Sequence, residues 1–428
     1  VAPNATDAPD GPDAVPRPNT GANPGRRALL GLGAAALATG LAQAQGMGGM
    51  SGGMSGMAGM SNMGGAQGMA GARAAAPPAA APQFASALPI PPELHGRPQA
   101  DGSLSYVLRL APGRSELVSG LSTPTWGYNG ALLGPALRLP QGKRVRIQLH
   151  NALNQSTTTH WHGAHVPGRM DGGPQSLIQP GQTATVDFAL KQPGATLWYH
   201  PHPDTRTGPH IYAGLAGLLL VDDGLDVRLN LPHRWGVDDL PVIVQDRRIG
   251  ADGRLLYMTS MMDRMGMKGG RFLVNGREQP HVQVPAQWLR LRLVNASNAR
   301  VYNFAFADGR AFHAVASDAG LLAAPVELRS LLLAPSERAE VLVDLRREQG
   351  KTLVLRSDSG AVVPGLSSMP MDADHWDHAG FDLLQLHVVA PSGAGGSLPQ
   401  RLADIPMLQA DAPPRRFSLQ GMMGGMMG

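Results

Sequence analysis

Cysteine is absent from all 428 residues. That excludes disulfides, thiolate catalysis and thiolate metal ligation, so any metal must be held by His, Met, carboxylate or water. Charge is thin as well: 16% of the residues are charged, and the formal net charge is +4. The positive residues are scattered, with no basic stripe interleaved with aromatics, which argues against nucleic acid as a partner. Long apolar runs are also missing. The strongest candidate, RRALLGLGAAALATGLAQA over residues 26–44, is too short and too rich in Ala and Gly for a stable membrane span.

That stretch reads instead as an export signal, assigned here to residues 1–44. Arg26 and Arg27 precede a mildly apolar run that closes on Ala42-Gln43-Ala44, an A-x-A cleavage pattern. Twin arginines point to the export route that carries folded, cofactor-loaded proteins, and so to the periplasm, although Gly25 stands where Ser or Thr is usual. Gly (55) and Pro (37) make up about a fifth of the chain, partly because of residues 45–87. There Met47, Met50, Met54, Met57, Met60, Met63 and Met69 recur among so much Gly and Ala that a helix is not expected. The segment reads as disordered, either with thioethers exposed to a soft ion such as Cu(I) or as a plain low-complexity spacer.

From Leu88 the texture changes. Runs such as SYVLRLA, ALRLPQGKRVRIQLHN and TATVDFAL are short, alternating and rich in β-branched residues, with Gly, Pro and Asn between them. This spacing predicts an all-β chain of two consecutive β-sandwiches, over residues 88–224 and 236–390. Residues 391–428 read as a linker and the start of a third element, ending in the Met-rich GMMGGMMG.

The chemistry concentrates in THWHGAHVPGRMDGGPQ (159–175) and LWYHPHPD (197–204). Residues i and i+2 of a strand share a face, so His160 and His162 project together while Trp161 points away. His200 and His202 do the same if their segment is extended, a geometry that Pro201 favours. Two such strands side by side gather four imidazoles, a set suited to neighbouring ions of Zn, Cu, Fe or Ni. Asp171 opens DGGPQ, which fits a tight turn and equally a carboxylate that orients a ligand or relays protons. His165 and His210 are assigned supporting roles. His150, His233, His281, His313 and His387 are read as ordinary core or surface residues. His375 and His378, beside Met369 and Met371, fit either a solvated loop or a loose ion site.

The motifs GYNGALLGPALRLPQGKRVRIQLHN, THWHG, DGGPQ, IQPGQTATVDF, LWYHPH and YAGLAGLLLVDD resemble the first cupredoxin domain of multicopper oxidases. PVIVQDRRIGADGRL, FLVNG, WLRLRLVNASNAR and ASDAGLL resemble the bacterial copper-efflux (cuprous) oxidases in particular. The resemblance implies Greek-key cupredoxin sandwiches and a copper cofactor. By motif, His160 would bind a type 2 copper, His162 and His200 one type 3 copper, and His202 the other. Asp171 matches an acid that delivers protons during O2 reduction. The partners implied are Cu(I) and Cu(II) ions, with O2 in a complete enzyme.

The family's third domain supplies the remaining histidines and a His-Cys-His motif for a type 1 copper. Neither is present in these residues. The expectation is therefore a truncated, copper-resistance-type oxidase, inactive alone, whose pattern continues past residue 428 or is completed by a separate chain. A second class of function also fits: a non-enzymatic periplasmic protein that sequesters copper.

Overall fold

The computed structural model describes residues 83–264, 266–359, 377–393 and 395–417. The export signal, nearly all of the Met-rich segment, His375 with its neighbouring methionines, and the terminal Met run lie outside them. The part from Arg73 onward clusters as one compact unit.

The architecture is all-β, with two cupredoxin-like sandwiches following one another along the chain. Strands between residues 93 and 222 form two sheets. One runs Glu93–His95, Ala136–Pro140, Gly217–Asp222, Ala195–His200, His160–His162; the other is built on Leu104–Val118, Arg144–Asn151 and Thr183–Ala189. Several neighbours in these sheets are distant in sequence, as the crossed connections of a Greek key require. Alternation explains the packing. Leu108, Leu110, Ile147, Leu149, Trp161, Leu197 and Tyr199 all turn into one core and are at most 2% exposed.

Strands between residues 239 and 389 form a seven-stranded sheet around Asp239–Arg247, Trp288–Asn295 and Arg338–Asp344, faced by a five-stranded sheet around Tyr302–Phe306, Thr352–Asp358 and Gly380–Val389. Their core holds Leu291, Tyr302, Phe304, Val341 and Leu384, with Phe272 stacked on Phe381 at 3.7 Å. Leu88, assigned to the first sandwich from sequence, packs in this second core instead. The Pro-rich strap behind it has few N–H groups to offer a sheet, and side chains of the second half hold it: Asn275 donates to Pro89 O (2.8 Å) and Trp235 to Pro91 O (2.8 Å).

The sandwiches meet over a layer that is half apolar and half ionic. Trp198, Leu218 and Leu220 pack with Ile243 and Val294. Beside them Arg292 grips Asp239 through two hydrogen bonds of 2.7 and 2.8 Å, and Arg290 and Arg292 share Glu340. Thr196 of the first sandwich donates to the same Glu340 carboxylate at 2.6 Å.

Candidate metal centre

The strand His160–His162 pairs antiparallel with Ala195–His200 in the register His160 to His200, Trp161 to Tyr199 and His162 to Trp198. Trp161 and Tyr199 point into the core, so the other face presents His160, His162, Trp198 and His200. Nitrogen atoms of His160, His162 and His200 all lie within 4.8 Å of one another, and His162 Nδ1 is 3.2 Å from His200 Nε2. His202 follows the end of the strand rather than lying in it. Its ring is 5.3 Å from that of His160, yet its nitrogens fall outside the three-membered group. Its backbone N–H is tied to Thr158 Oγ1 at 2.7 Å, while its own Nδ1 is buried without a partner.

The rings are held from behind. His160 Nδ1 faces both the backbone carbonyl of Asp171 (2.9 Å) and its carboxylate (3.1 Å), and His200 Nδ1 donates to Pro201 O (2.9 Å). A carbonyl can only accept, so each Nδ1 carries the proton and each Nε2 keeps its lone pair for an ion. The DGG turn makes this possible. Gly172 has φ +70°, and a Cβ there would stand 1.8 Å from Thr159 O. Trp161 Nε1 donates to Met170 O at 3.0 Å and ties the same turn to the core. The turn is tight, and it lays the Asp171 carboxylate against a histidine.

Burial sets the protonation state. It holds the His162 imidazole down at about 4, with help from the Arg338 charge and the neighbouring imidazoles, and holds His200 at about 3. Both rings are neutral at pH 7, the state that binds metal. The neutral His162 and His200 rings, the His160 and His200 Nδ1 atoms tied to carbonyls and the buried unpartnered nitrogen on His202 fit a borderline ion such as copper or zinc.

The remaining described histidines lie outside this cluster. His210 is 1% exposed and braces the preceding segment through Thr157 (3.0 Å) and Gln155 (3.2 Å). His165 and His378 are exposed. His281 binds Phe84 O, and His387 binds Gln385. Three participants were missed: Thr158, which positions His202; Trp198, whose ring lies 4.2 Å from His200; and Arg338, which comes from the other sandwich. The run Thr157-Thr158-Thr159 before the first His pair was a usable signal for Thr158; Arg338 had none nearby in sequence.

Among the described residues no helix is long and apolar enough to cross a membrane. Comparison with known proteins bears on what the cluster is. The multicopper oxidase family pattern matches residues 111–226, which include both His pairs. The multicopper oxidase mco of Staphylococcus aureus is 38% identical over 283 residues, 66% of this chain and 62% of that protein. The cell division protein FtsP of a Rahnella species is 40% identical over 65% of this chain and 57% of its own length. The chain thus spans about six-tenths of the length of the curated relatives it matches. Among solved structures, the laccase-like multicopper oxidase CueO of an Ochrobactrum species superposes with a TM-score of 0.67 at 35% identity, over 76% of this chain and 68% of that one. A shared sandwich fold, the matched pattern and a cluster of ligand-ready imidazoles agree: the chain belongs to the multicopper oxidase family.

Proposed function

We propose that the chain provides the first-sandwich share of a copper cluster in a periplasmic oxidase of the copper-efflux, copper-resistance type. The observation that carries this is the gathering of His160, His162 and His200 nitrogens within 4.8 Å on one strand pair. In this reading His160 holds a type 2 copper, His162 and His200 hold one type 3 copper, and His202 holds the other. Bound copper would supply the one-electron chemistry by which electrons drawn from Cu(I) reduce O2 to water.

The chain's own residues prepare the ligands. Burial keeps the His162 and His200 imidazoles neutral, and Pro201 O and Asp171 orient His200 and His160. The Asp171 carboxylate, 37% exposed, can take a proton from solvent and present it beside His160. Arg26, Arg27 and the A-x-A site support export by the twin-arginine route, which a signal-to-reporter fusion would test. Oxidase turnover also needs a thiolate site, and these residues contain no cysteine. In this reading the remaining ligands are ones that these residues do not supply.

Copper titration with chelator competition tests the site. The protein should bind copper tightly, and a variant with His160, His162, His200 and His202 all changed to Ala should not. Equal affinity in the two would overturn the reading. The 428-residue chain alone should show no cuprous or phenol oxidase turnover, and measured turnover would contradict that. A second reading, copper sequestration without catalysis, is favoured by this absence of a thiolate. The two separate when a His-Cys-His polypeptide is added: restored turnover supports the oxidase, and copper binding without turnover supports sequestration. A scaffold of the same superfamily without copper is a third reading, which tight binding at the four histidines would exclude.

A further inference from the structure

The strand bearing His160 and His162 ends against an arginine of the other sandwich. Its pairing with Ala195–His200 stops at His162 and Trp198. Beyond that point Thr196 O accepts from Arg338 Nε at 3.3 Å. The chain turns away at Gly163, whose φ is +86°, and a Cβ on Gly163 would lie 2.6 Å from Arg338 Nη2. The guanidinium stands where a continuing strand would run. It is also well fastened: Nη1 donates to Ser336 O (3.0 Å) and pairs with the Asp318 carboxylate (2.6 Å), and Nη2 donates to Asp318 O (2.9 Å). The Arg338 side chain is 4% exposed and that of Asp318 46%. The positive group is therefore buried towards the histidine strand, and its counter-charge is open to water, where it is screened more strongly.

We propose that Arg338 is a positioning residue for the copper site: it sets where the His160–His162 strand ends, and it places a fixed positive charge beside the ions that His162 and His200 hold. The inference rests on reading that cluster as a copper site. Arg338 touches no ligand nitrogen; it acts through Gly163, through Thr196 and through space. A nearby fixed cation disfavours Cu(II) more than Cu(I), because the more highly charged ion is repelled more strongly. Arg338 thereby raises the reduction potential of the site, a role assigned to a sandwich that offers no ligand of its own among the described residues.

The test uses the full chain and its Arg338→Lys, Arg338→Met and Asp318→Asn variants. Two readouts are taken: amide hydrogen exchange over residues 162–164 and 196–198 in the metal-free protein, and Cu(I) and Cu(II) affinities by chelator competition. Arg338→Met should speed exchange in both segments and lower the ratio of Cu(I) to Cu(II) affinity about tenfold, which corresponds to about 59 mV for a one-electron couple. Arg338→Lys keeps the charge but not the planar fork, so exchange should rise while the ratio stays near that of the parent. Asp318→Asn removes the counter-charge and should move the ratio the other way. If the parent binds copper and both Arg338 variants match it in exchange and in ratio, the proposal is overturned. If the parent binds no copper, the copper reading fails and the charge role with it, and the exchange data still decide whether Arg338 ends the strand.

Discussion

The two sandwiches bury different kinds of polarity. In the first, the buried polar residues are hydroxyls, amides and imidazoles, such as Thr157, Thr158, Asn151, His200 and His210. In the second, amides and hydroxyls are joined by many formal charges: Asp239, Asp246, Arg290, Arg292, Arg300, Arg338 and Glu340 are each at most 5% exposed. The ionic side chains are paired within their own half, so their charge is already satisfied, and Arg292 and Glu340 also meet Thr196 of the first sandwich. The His162 and His200 rings are neutral and need no counter-ion; what they hold ready is a lone pair for a cation. One strand joins the two regimes. Thr196, Trp198 and His200 share a face of Ala195–His200 and meet, in turn, the ionic network, the apolar interface and the metal cluster.

The sharpest way to break this comparison is to damage each half in its own terms. Glu340→Ala leaves Arg290 and Arg292 buried and undercompensated, which should cost about 3–5 kcal/mol of stability in urea denaturation. It removes no ligand, so copper should still bind to whatever fraction remains folded. The four-histidine variant should do the reverse, abolishing copper binding while changing the metal-free unfolding midpoint little. If the histidine variant proves the less stable of the two, the division of labour is wrong.

Glycine substitution separates local strain from damage to the site. Gly172→Ala forces a side chain into the left-handed region and into Thr159 O, costing about 1–3 kcal/mol for the backbone alone. The turn must also move, taking Asp171 away from His160, so copper affinity should fall about tenfold. Gly142 has a similar φ of +76° with nothing within 4 Å. Gly142→Ala should carry only the backbone cost, with copper affinity unchanged by competition assay.

Acid should reach the two halves in different windows. His162 and His200 ordinarily titrate near 6.5 but are held at about 4 and about 3 in the fold. Between those values the unfolded chain binds more protons than the folded one, so stability falls as pH drops from about 6.5 towards 3. His210, also at about 4, shares this window. Glu340 runs lower: desolvation opposes its ionisation, but Arg290 and Arg292 hold it at about 2 against an ordinary 4.5. Its contribution is full above 4.5 and is lost as pH falls towards 2. Urea midpoints of the metal-free protein should therefore decline already between pH 6.5 and 4.5, and a His162→Gln, His200→Gln variant should flatten part of that decline. An unchanged slope would mean that these imidazoles are not buried as described.

Much of this was legible in the sequence because strand periodicity is local. HWH, with small or polar residues around it, states that two imidazoles share a face and that Trp161 goes inward. The register is not local. That His160 sits opposite His200, with His202 past the strand end, depends on pairing between segments some 40 residues apart. In Ala195–His200 every residue is buried, which erases the alternation that would have marked Thr196 and Trp198 as a second functional face. Arg338-Ala339-Glu340 reads as an ordinary strand with its charges to solvent. The charges are buried because the other sandwich covers that face, and no pattern within the strand records this.

Asp171→Asn probes the smallest difference, between orienting a ligand and carrying a proton. His160 Nδ1 has two acceptors on that residue, the backbone carbonyl at 2.9 Å and the carboxylate at 3.1 Å. Asparagine leaves the carbonyl in place and keeps a side-chain oxygen of similar reach, so the ring should keep both its tautomer and its direction. What disappears is the negative charge, and at 37% exposure that charge is well screened. Copper affinity should therefore drop only a few-fold, far less than for Gly172→Ala, which displaces both acceptors together. A drop as large as that of the glycine variant would show that the carboxylate itself, rather than the turn presenting it, secures His160.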